Sequence, residues 1–226
     1  MFNKDLDTLK KKIELSKVLI FDFDGVIADS NEVKTQAFAE LYESFGEEIV
    51  VKVVDHHKKN RGMSRFEKFK YYHSIFLNQD LNKATLNKLS NRFSELVFNK
   101  VVSSNEINSA GSFLEKYCSV DRVCVINSAT PQSEIEEIIR ARGLAKVFSS
   151  IFGSPSSKLE NITKILNKYS CSKDEVVFFG DSEADLIAAN SAEIYFIGIG
   201  SEIMKYIRIK GLNYPSMKNF KQILDN

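Results

Sequence analysis

Two acidic side chains stand two residues apart in Phe21-Asp22-Phe23-Asp24-Gly25-Val26, directly after the apolar run Val18-Leu19-Ile20. Carboxylates placed where a buried strand runs out are costly to hold unless a cation or a reaction uses them. A second apolar run, Val176-Val177-Phe178-Phe179, also ends in acid, at Gly180-Asp181-Ser182-Glu183-Ala184-Asp185. One carboxylate can bind a hard cation and attack phosphorus, while a neighbour protonates the leaving oxygen and later takes a proton from water. Asp22 and Asp24 suit these two roles if unequal burial separates their protonation states. Alone, the Asp-x-Asp fragment fits a glycosyltransferase equally well. Asp181 and Asp185, four apart, can converge near the first turn of a helix that begins near Ser182. By themselves they would cap that helix and balance its dipole. Joined to the first pair, they make an oxygen-rich set suited to Mg²⁺.

Two further residues complete the inventory. Ser128 follows Val123-Cys124-Val125-Ile126-Asn127 and precedes Ala129-Thr130-Pro131, where a helix is expected to start. A hydroxyl beside backbone donors at a helix N-terminus forms an anion site, although Ser128 or Thr130 could equally serve as the cap. Lys158 closes the loop Gly153-Ser154-Pro155-Ser156-Ser157 at the mouth of the next helix. A cation there opposes the helix dipole, and balancing the charge of a transferring phosphoryl group gives it a reason to be there.

These residues need a scaffold, and the apolar runs supply one. Val18 to Phe21, Val123 to Ile126, Val176 to Phe179 and Ile194 to Ile199 lack clean polar alternation. That suits parallel strands covered on both faces. Pro131 to Arg142, with Pro131 in the first turn and Gly143 as the stop, and Leu159 to Tyr169 carry helical spacing between them. The reading is α/β: an open, Rossmann-like parallel sheet, with residues 1–29 and 111–226 forming the core. Residues 30–110 read as an all-helical insert, with Ile49 to Val54 left open between strand and helix. Such an insert would lie over the carboxyl ends of the strands, where open α/β sheets bind ligands.

The insert holds the specificity clue. Lys52, Lys58, Lys59, Arg61, Arg65, Lys68 and Lys70 outnumber Asp55 and Glu67, and Arg61-Gly62-Met63-Ser64-Arg65 interrupts the helical pattern. That turn could hold an anionic or hydroxyl-rich leaving group; the alternative is a solvated basic helix face. His56, His57 and His73 lack metal-site spacing and read as polar-surface residues.

Composition bounds the rest. The chain has 226 residues, 43% hydrophobic, with 31 basic and 30 acidic residues and a net charge of +1, which predicts neither a nucleic-acid nor a membrane partner. The first twelve residues are too charged for a signal peptide. Cys118, Cys124 and Cys171 read as separate apolar fillers in a reducing, cytoplasmic setting. With no paired soft ligands, zinc is not expected.

In their order, Asp22-Phe23-Asp24-Gly25-Val26-Ile27-Ala28-Asp29-Ser30, Ser128, Lys158 and Gly180-Asp181-Ser182-Glu183-Ala184-Asp185 resemble the four motifs of the haloacid dehalogenase superfamily. The likeness is to its phosphatase and phosphomutase branch, which carries a helical cap after the first motif. It implies Asp22 as nucleophile and metal ligand, and Asp24 as general acid and base with a backbone-carbonyl ligand. It also implies Ser128 and Lys158 on the phosphoryl oxygens, Asp181 on Mg²⁺ and Asp185 in support. Family dehalogenases lack an acid at the place of Asp24, which sets dehalogenation aside. Gly62-Met63-Ser64-Arg65 is similar to a cap segment of sugar-phosphate mutases and related phosphatases, so Arg61, Ser64, Arg65 and Thr130 are the expected substrate contacts. The expectation is a Mg²⁺-dependent phosphatase acting on a small phosphorylated metabolite (a sugar phosphate, a phosphoglycolate-like acid or a nucleotide), as a monomer or weak homodimer. A β-phosphoglucomutase-type mutase and an inactive binding module are the alternatives.

Overall fold

The computed structural model describes residues 2–118 and 122–225. Met1, residues 119–121 and Asn226 lie outside that set, as do the outermost positions of the expected core segments. After α1 (Phe2–Leu15), the central strand β1 (Val18–Phe21) is paired on both sides by parallel strands. Its neighbours are β2 (Val123–Pro131) and β4 (Val176–Gly180). Beyond them lie β3 (Ser150–Ser154), β5 (Tyr195–Ile199) and the short β6 (Ser216–Met217), in the order β3-β2-β1-β4-β5-β6. The strand order reverses direction between β1 and β4, the crevice where open sheets of this kind place ligands.

Alternate residues of β1 and β4 point to opposite faces, and both faces are buried. Leu19, Phe21, Val177 and Phe179 join a cluster with Phe113 of α6 (Ala110–Tyr117) and Ile135 and Ile139 of α7 (Gln132–Ala141). Val18, Ile20, Val176 and Phe178 meet Ile162 and Ile165 of α8 (Lys158–Tyr169) and Leu186 and Ala189 of α9 (Glu183–Ser191). Covering both faces is why these strands read as unbroken apolar runs. Helices α10 (Ser201–Ile209) and α11 (Lys221–Leu224) complete the chain.

Between β1 and β2 the chain is helical: α2 (Asn31–Tyr42), α3 (Glu47–Lys59), α4 (Arg65–Tyr71) and α5 (Lys83–Val102). Phe38 anchors this insert, with the rings of His57, Phe69, Tyr72 and Phe93 within 6 Å of its centre. The chain leaves and re-enters the sheet region as a paired ribbon. Ala28 bridges antiparallel to Glu106, the Asp29 N–H donates to the Asn105 carbonyl at 2.9 Å, and the Ile107 N–H donates to the Ile27 carbonyl at 2.9 Å.

Several expectations change. Ile49 to Val54 is helical, inside α3. β2 continues to Pro131, so Ser128 and Thr130 stand in the strand's extension and Pro131 precedes the helix instead of opening its first turn. Cys118 and Cys124 are joined in a disulfide, which corrects their reading as separate fillers and removes cysteine usage as an argument for a reducing compartment. Cys171 is free. His57 and His73 are buried, because they pack into the insert's aromatic core instead of facing water. Among the described residues no helix is long and apolar enough to cross a membrane.

The rings of Phe21 and Phe179 stack 4.9 Å apart, one residue before Asp22 and Gly180 respectively. Phe179→Ala is expected to cost about 3–5 kcal/mol through the lost burial and the cavity left behind. Denaturant unfolding, read as a shift in midpoint at unchanged slope, measures it.

Candidate active site

Parallel register carries the acids to one place. Phe21 aligns with Ile126 on β2 and with Phe179 on β4, so Asp22, Asn127 and Gly180 lie at the same level along the three strands. β1 ends there, and residues 23–28 fold into a tight loop in which the Ile27 and Ala28 N–H groups donate to the Phe23 carbonyl. Gly25 turns it at φ +76°, and a Cβ at that position would come within 2.1 Å of Asp181 Oδ2. Only glycine fits both the backbone and the gap. Gly180 has the same property: a Cβ there would meet Asp185 Cβ at 2.3 Å.

Asp22, Asp181 and Asp185 are buried, with one carboxylate oxygen from each lying within 4.8 Å of the others. Lys158 Nζ donates to Asp22 Oδ2 at 2.7 Å and also to Asp185 Oδ1. Asp22 Oδ1 accepts the Phe23 N–H at 2.6 Å. Asp185 closes a capping box at the start of α9, where its Oδ2 accepts from the Ser182 hydroxyl at 2.6 Å and the Ser182 N–H at 3.1 Å. Asp181 Oδ2 accepts from Asn31 Nδ2 at 2.8 Å.

Burial pushes Asp22 well above the usual carboxylate range; Asp185, Asp181 and Asp24 add to the shift and Lys158 opposes it. Burial and then Asp185 push Asp181 up to about 7. Burial alone would pull Lys158 down, but Asp185 and Asp22 override it and hold its ammonium above the ordinary lysine value. Three buried carboxylates sharing one ammonium are short of positive charge. An all-oxygen set at this spacing fits a hard divalent cation.

Asp24 has a different environment. Its Oδ1 accepts from the Ser30 hydroxyl at 2.6 Å, and its Oδ2 accepts from Lys34 Nζ at 2.5 Å and the Thr130 hydroxyl at 3.3 Å. Burial works to raise it, but the ion pair with Lys34 outweighs burial and holds Asp24 below the usual range. Two carboxylates from one short loop therefore differ in protonation tendency, Asp22 pushed up and Asp24 held down. Without a cation that is the reverse of what a nucleophile at Asp22 and a general acid at Asp24 require.

Asp22, Asp24, Asp181 and Thr130 line a cavity of about 30 Å³ roofed by the insert's Arg61, Gly62 and Lys68. A Cβ on Gly62 would come within 2.5 Å of Ser182 Oγ, so the insert rests directly on the loop that carries Asp181. Lys158 and Asp185 sit behind these acids. Ser128 is 1% exposed and its Oγ accepts the Thr130 N–H at 3.2 Å, while Ala129 and Thr130 form the cavity wall. Asn127 locks the start of α8 to β2 by donating to the Lys158 carbonyl at 3.0 Å.

Two expected substrate contacts are engaged elsewhere. Ser64 caps α4, with its hydroxyl and N–H both bonded to Glu67. Arg65 is 5% exposed and binds Glu134 of α7 through both terminal nitrogens, at 2.9 and 2.5 Å, with Ser94 Oγ at 2.8 Å and the Phe93 ring beneath at 4.5 Å. It clasps the insert to the core instead of reaching freely toward a leaving group. The basic stretch is thus divided: Lys52, Lys58, Lys59 and Lys70 are exposed, whereas Arg65 and Lys68 are buried. Asn31, Lys34, His57, Lys68 and Glu134 were missed as participants. Asn31 and Lys34 share one face of the first helix after the Asp22 motif, the one signal that could have pointed to them.

A family model described as haloacid dehalogenase-like hydrolase matches residues 19–199, and the chain belongs to that family of hydrolases. Among solved structures, a haloacid dehalogenase-like family hydrolase from Streptococcus pneumoniae is similar with a TM-score of 0.69 and 16% identity, covering 93% of this chain and 98% of its own. β-Phosphoglucomutase from Clostridium difficile gives 0.74 at 20% identity over 92% of each chain. A predicted phosphoglycolate phosphatase from Haemophilus somnus gives 0.70 at 16%, covering 93% of this chain and 97% of its own. At these identities the likeness establishes the fold. No match emerged among curated protein sequences.

Two predictions follow from this geometry. Without a cation, Asp181 holds its proton more tightly folded than unfolded; that stabilisation is complete below the ordinary carboxylate range and is lost as pH rises through about 7. A bound cation must displace the proton. Added Mg²⁺ should therefore raise Tm more at pH 8 than at pH 5.5, and an equal shift at both would separate Asp181 from the cation. At the clasp, Glu134→Leu leaves the Arg65 charge buried and unpaired, at a cost of about 3–5 kcal/mol, and the double variant with Arg65→Leu should recover most of it. Unfolding of the two single variants and the double variant tests this.

Proposed function

We propose that this hydrolase is a Mg²⁺-dependent phosphatase that cleaves a small phosphomonoester through a phosphorylated Asp22. The observation that carries the reading is Asp22 itself: a buried carboxylate at the end of the central strand, lining a cavity and held at Oδ2 by Lys158. In this reading residues 1–29 and 111–226 are the catalytic core and residues 30–110 the substrate-selecting cap. Asp22, Asp181 and the Asp24 backbone carbonyl would hold Mg²⁺, with Asp185 in support. Bound there, the cation would offset the repulsion between Asp22 and an anionic substrate.

The chain's own groups account for the remaining steps. Asp22 attacks phosphorus and the P–O bond to the leaving group breaks. Asp24 gives the leaving oxygen a proton, then takes one from the water that hydrolyses the acyl phosphate. Lys158 and Ser128 take up charge on the phosphoryl oxygens, and Arg61 and Thr130 are the remaining substrate contacts. The Lys34–Asp24 pair suits the second half of this cycle, which needs Asp24 ionised. The first half needs it protonated, so Lys34 must part from Asp24 as substrate enters. The cavity is too small for a substrate to enter with the cap in this position, and opening of the cap would accomplish both.

Asp22→Asn should abolish phosphate release with the fold intact and leave no phosphorylated protein to trap. Asp24→Asn should cost roughly 10²–10⁴-fold, and less for esters with good leaving groups. A panel of phosphomonoesters with Mg²⁺ or excess EDTA, scored both for phosphate released to water and for phosphate transferred to a sugar, tests the reading. Full turnover in EDTA would overturn the metal requirement. Transfer without release would make the enzyme a mutase.

A further inference from the structure

The insert carries a group of buried donors of which the chemistry above uses only Arg61. Lys68 is 2% exposed, yet among the described residues no carboxylate lies within ion-pair distance of it. Its Nζ meets His57 Nδ1 at 2.9 Å and the Arg61 carbonyl at 3.4 Å, and it stands 5.3 Å from the centre of the Phe38 ring. A buried ammonium without an anion is strongly unfavourable. Burial and then Lys34 accordingly push Lys68 well below the ordinary lysine range.

His57 is 3% exposed, and burial followed by Lys68 pushes it down to about 2, so the ring is neutral. With Nδ1 accepting from Lys68, the ring proton belongs on Nε2. That Nε2 is buried without a partner, and so is Arg61 Nε. Lys68, His57 and Arg61 all line the cavity that Asp22 and Asp24 line from below. The other cations at this cavity are already matched, Lys34 by Asp24 and Arg65 by Glu134. The three unmatched groups offer N–H donors and no acceptor. Their complement is a small group that only accepts and carries negative charge.

We propose that Lys68, His57 and Arg61 form a subsite for a carboxylate on the leaving group, so that the substrate is a short phosphorylated hydroxy acid. This deepens the phosphatase reading above and rests on it. Size points the same way as charge. The cavity is small, about 30 Å³ and walled by Phe38, Met63 and Phe93, which favours a short leaving group over a hexose once the cap has closed on it. A carboxylate docking there supplies Lys68 with its missing counter-charge, so the ammonium becomes fully protonated as substrate binds.

The test compares kcat/KM for 2-phosphoglycolate with that for its uncharged relative ethyl phosphate, by released inorganic phosphate, in the wild type and in Lys68→Met. The wild type should favour the acid by roughly 10–100-fold, the scale of one charged hydrogen bond. Lys68→Met should bring that ratio toward one, whatever it does to either rate separately. If Lys68→Met does not fold, Arg61→Met gives the same readout. A wild-type ratio near one, or a ratio preserved in the folded variant, overturns the subsite and leaves the phosphatase reading standing. Phosphate release from no ester at all, p-nitrophenyl phosphate included, overturns the phosphatase reading and the subsite with it.

Discussion

Burying three carboxylates around a single ammonium is the constraint on which the rest of this structure depends. Asp22, Asp181 and Asp185 come from two adjacent strands and a helix start, and Lys158 holds two of them together. Such a cluster is tolerable only where the remaining oxygens find donors or a cation. The surrounding sequence supplies donors to three of the four: the Phe23 N–H for Asp22 Oδ1, Ser182 for Asp185 Oδ2 and Asn31 for Asp181 Oδ2. It also explains why a lysine begins α8, against the preference of the helix dipole. Fastened by Asn127 to β2, that first turn delivers the ammonium to the acids.

The cavity has two halves of opposite character. Below, the sheet ends supply carboxylates; above, the insert supplies Lys34, Arg61, Arg65 and Lys68. Two of these cations are neutralised, one by a site acid and one by Glu134 in the core. Both ion pairs therefore tie the roof to the floor, and the Lys34 pair also holds Asp24 beneath it below the usual carboxylate range. Gly62 sets how near the halves can come, since it leaves room for nothing larger than hydrogen over Ser182.

The clustered acids were legible because polar residues stand out at the end of an apolar run, and the register of parallel strands converts that position into proximity. β1, β2 and β4 were legible for the same reason. β3 was not: Ile151 and Phe152 are its only large apolar residues, and it is defined by pairing with β2 more than by its own pattern. The insert's chemistry was largely hidden. Lys68 and Arg65 sit in a stretch where most cations are solvated, and charge spacing cannot distinguish a buried lysine from an exposed one. Glu134 stands as an acid in the first turn of α7, and its role as the partner of Arg65 depends on a helix far away in sequence. Ser64 caps α4, a role that the sequence does not separate from substrate binding because a capping hydroxyl and a substrate-binding hydroxyl have the same signature.

The ribbon that joins insert and sheet has a consequence for how such a protein can change over generations. Because the chain departs at Asp29 and returns at Asn105 already bonded side by side, the sheet meets everything between them as little more than a tight turn. The closure entropy charged to the sheet is that of a short loop, and lengthening or rebuilding the intervening helices adds to it only logarithmically. Selection can therefore redesign the roof while the acids below keep their register. One catalytic chassis can acquire new substrates by exchanging a part that its own folding scarcely registers.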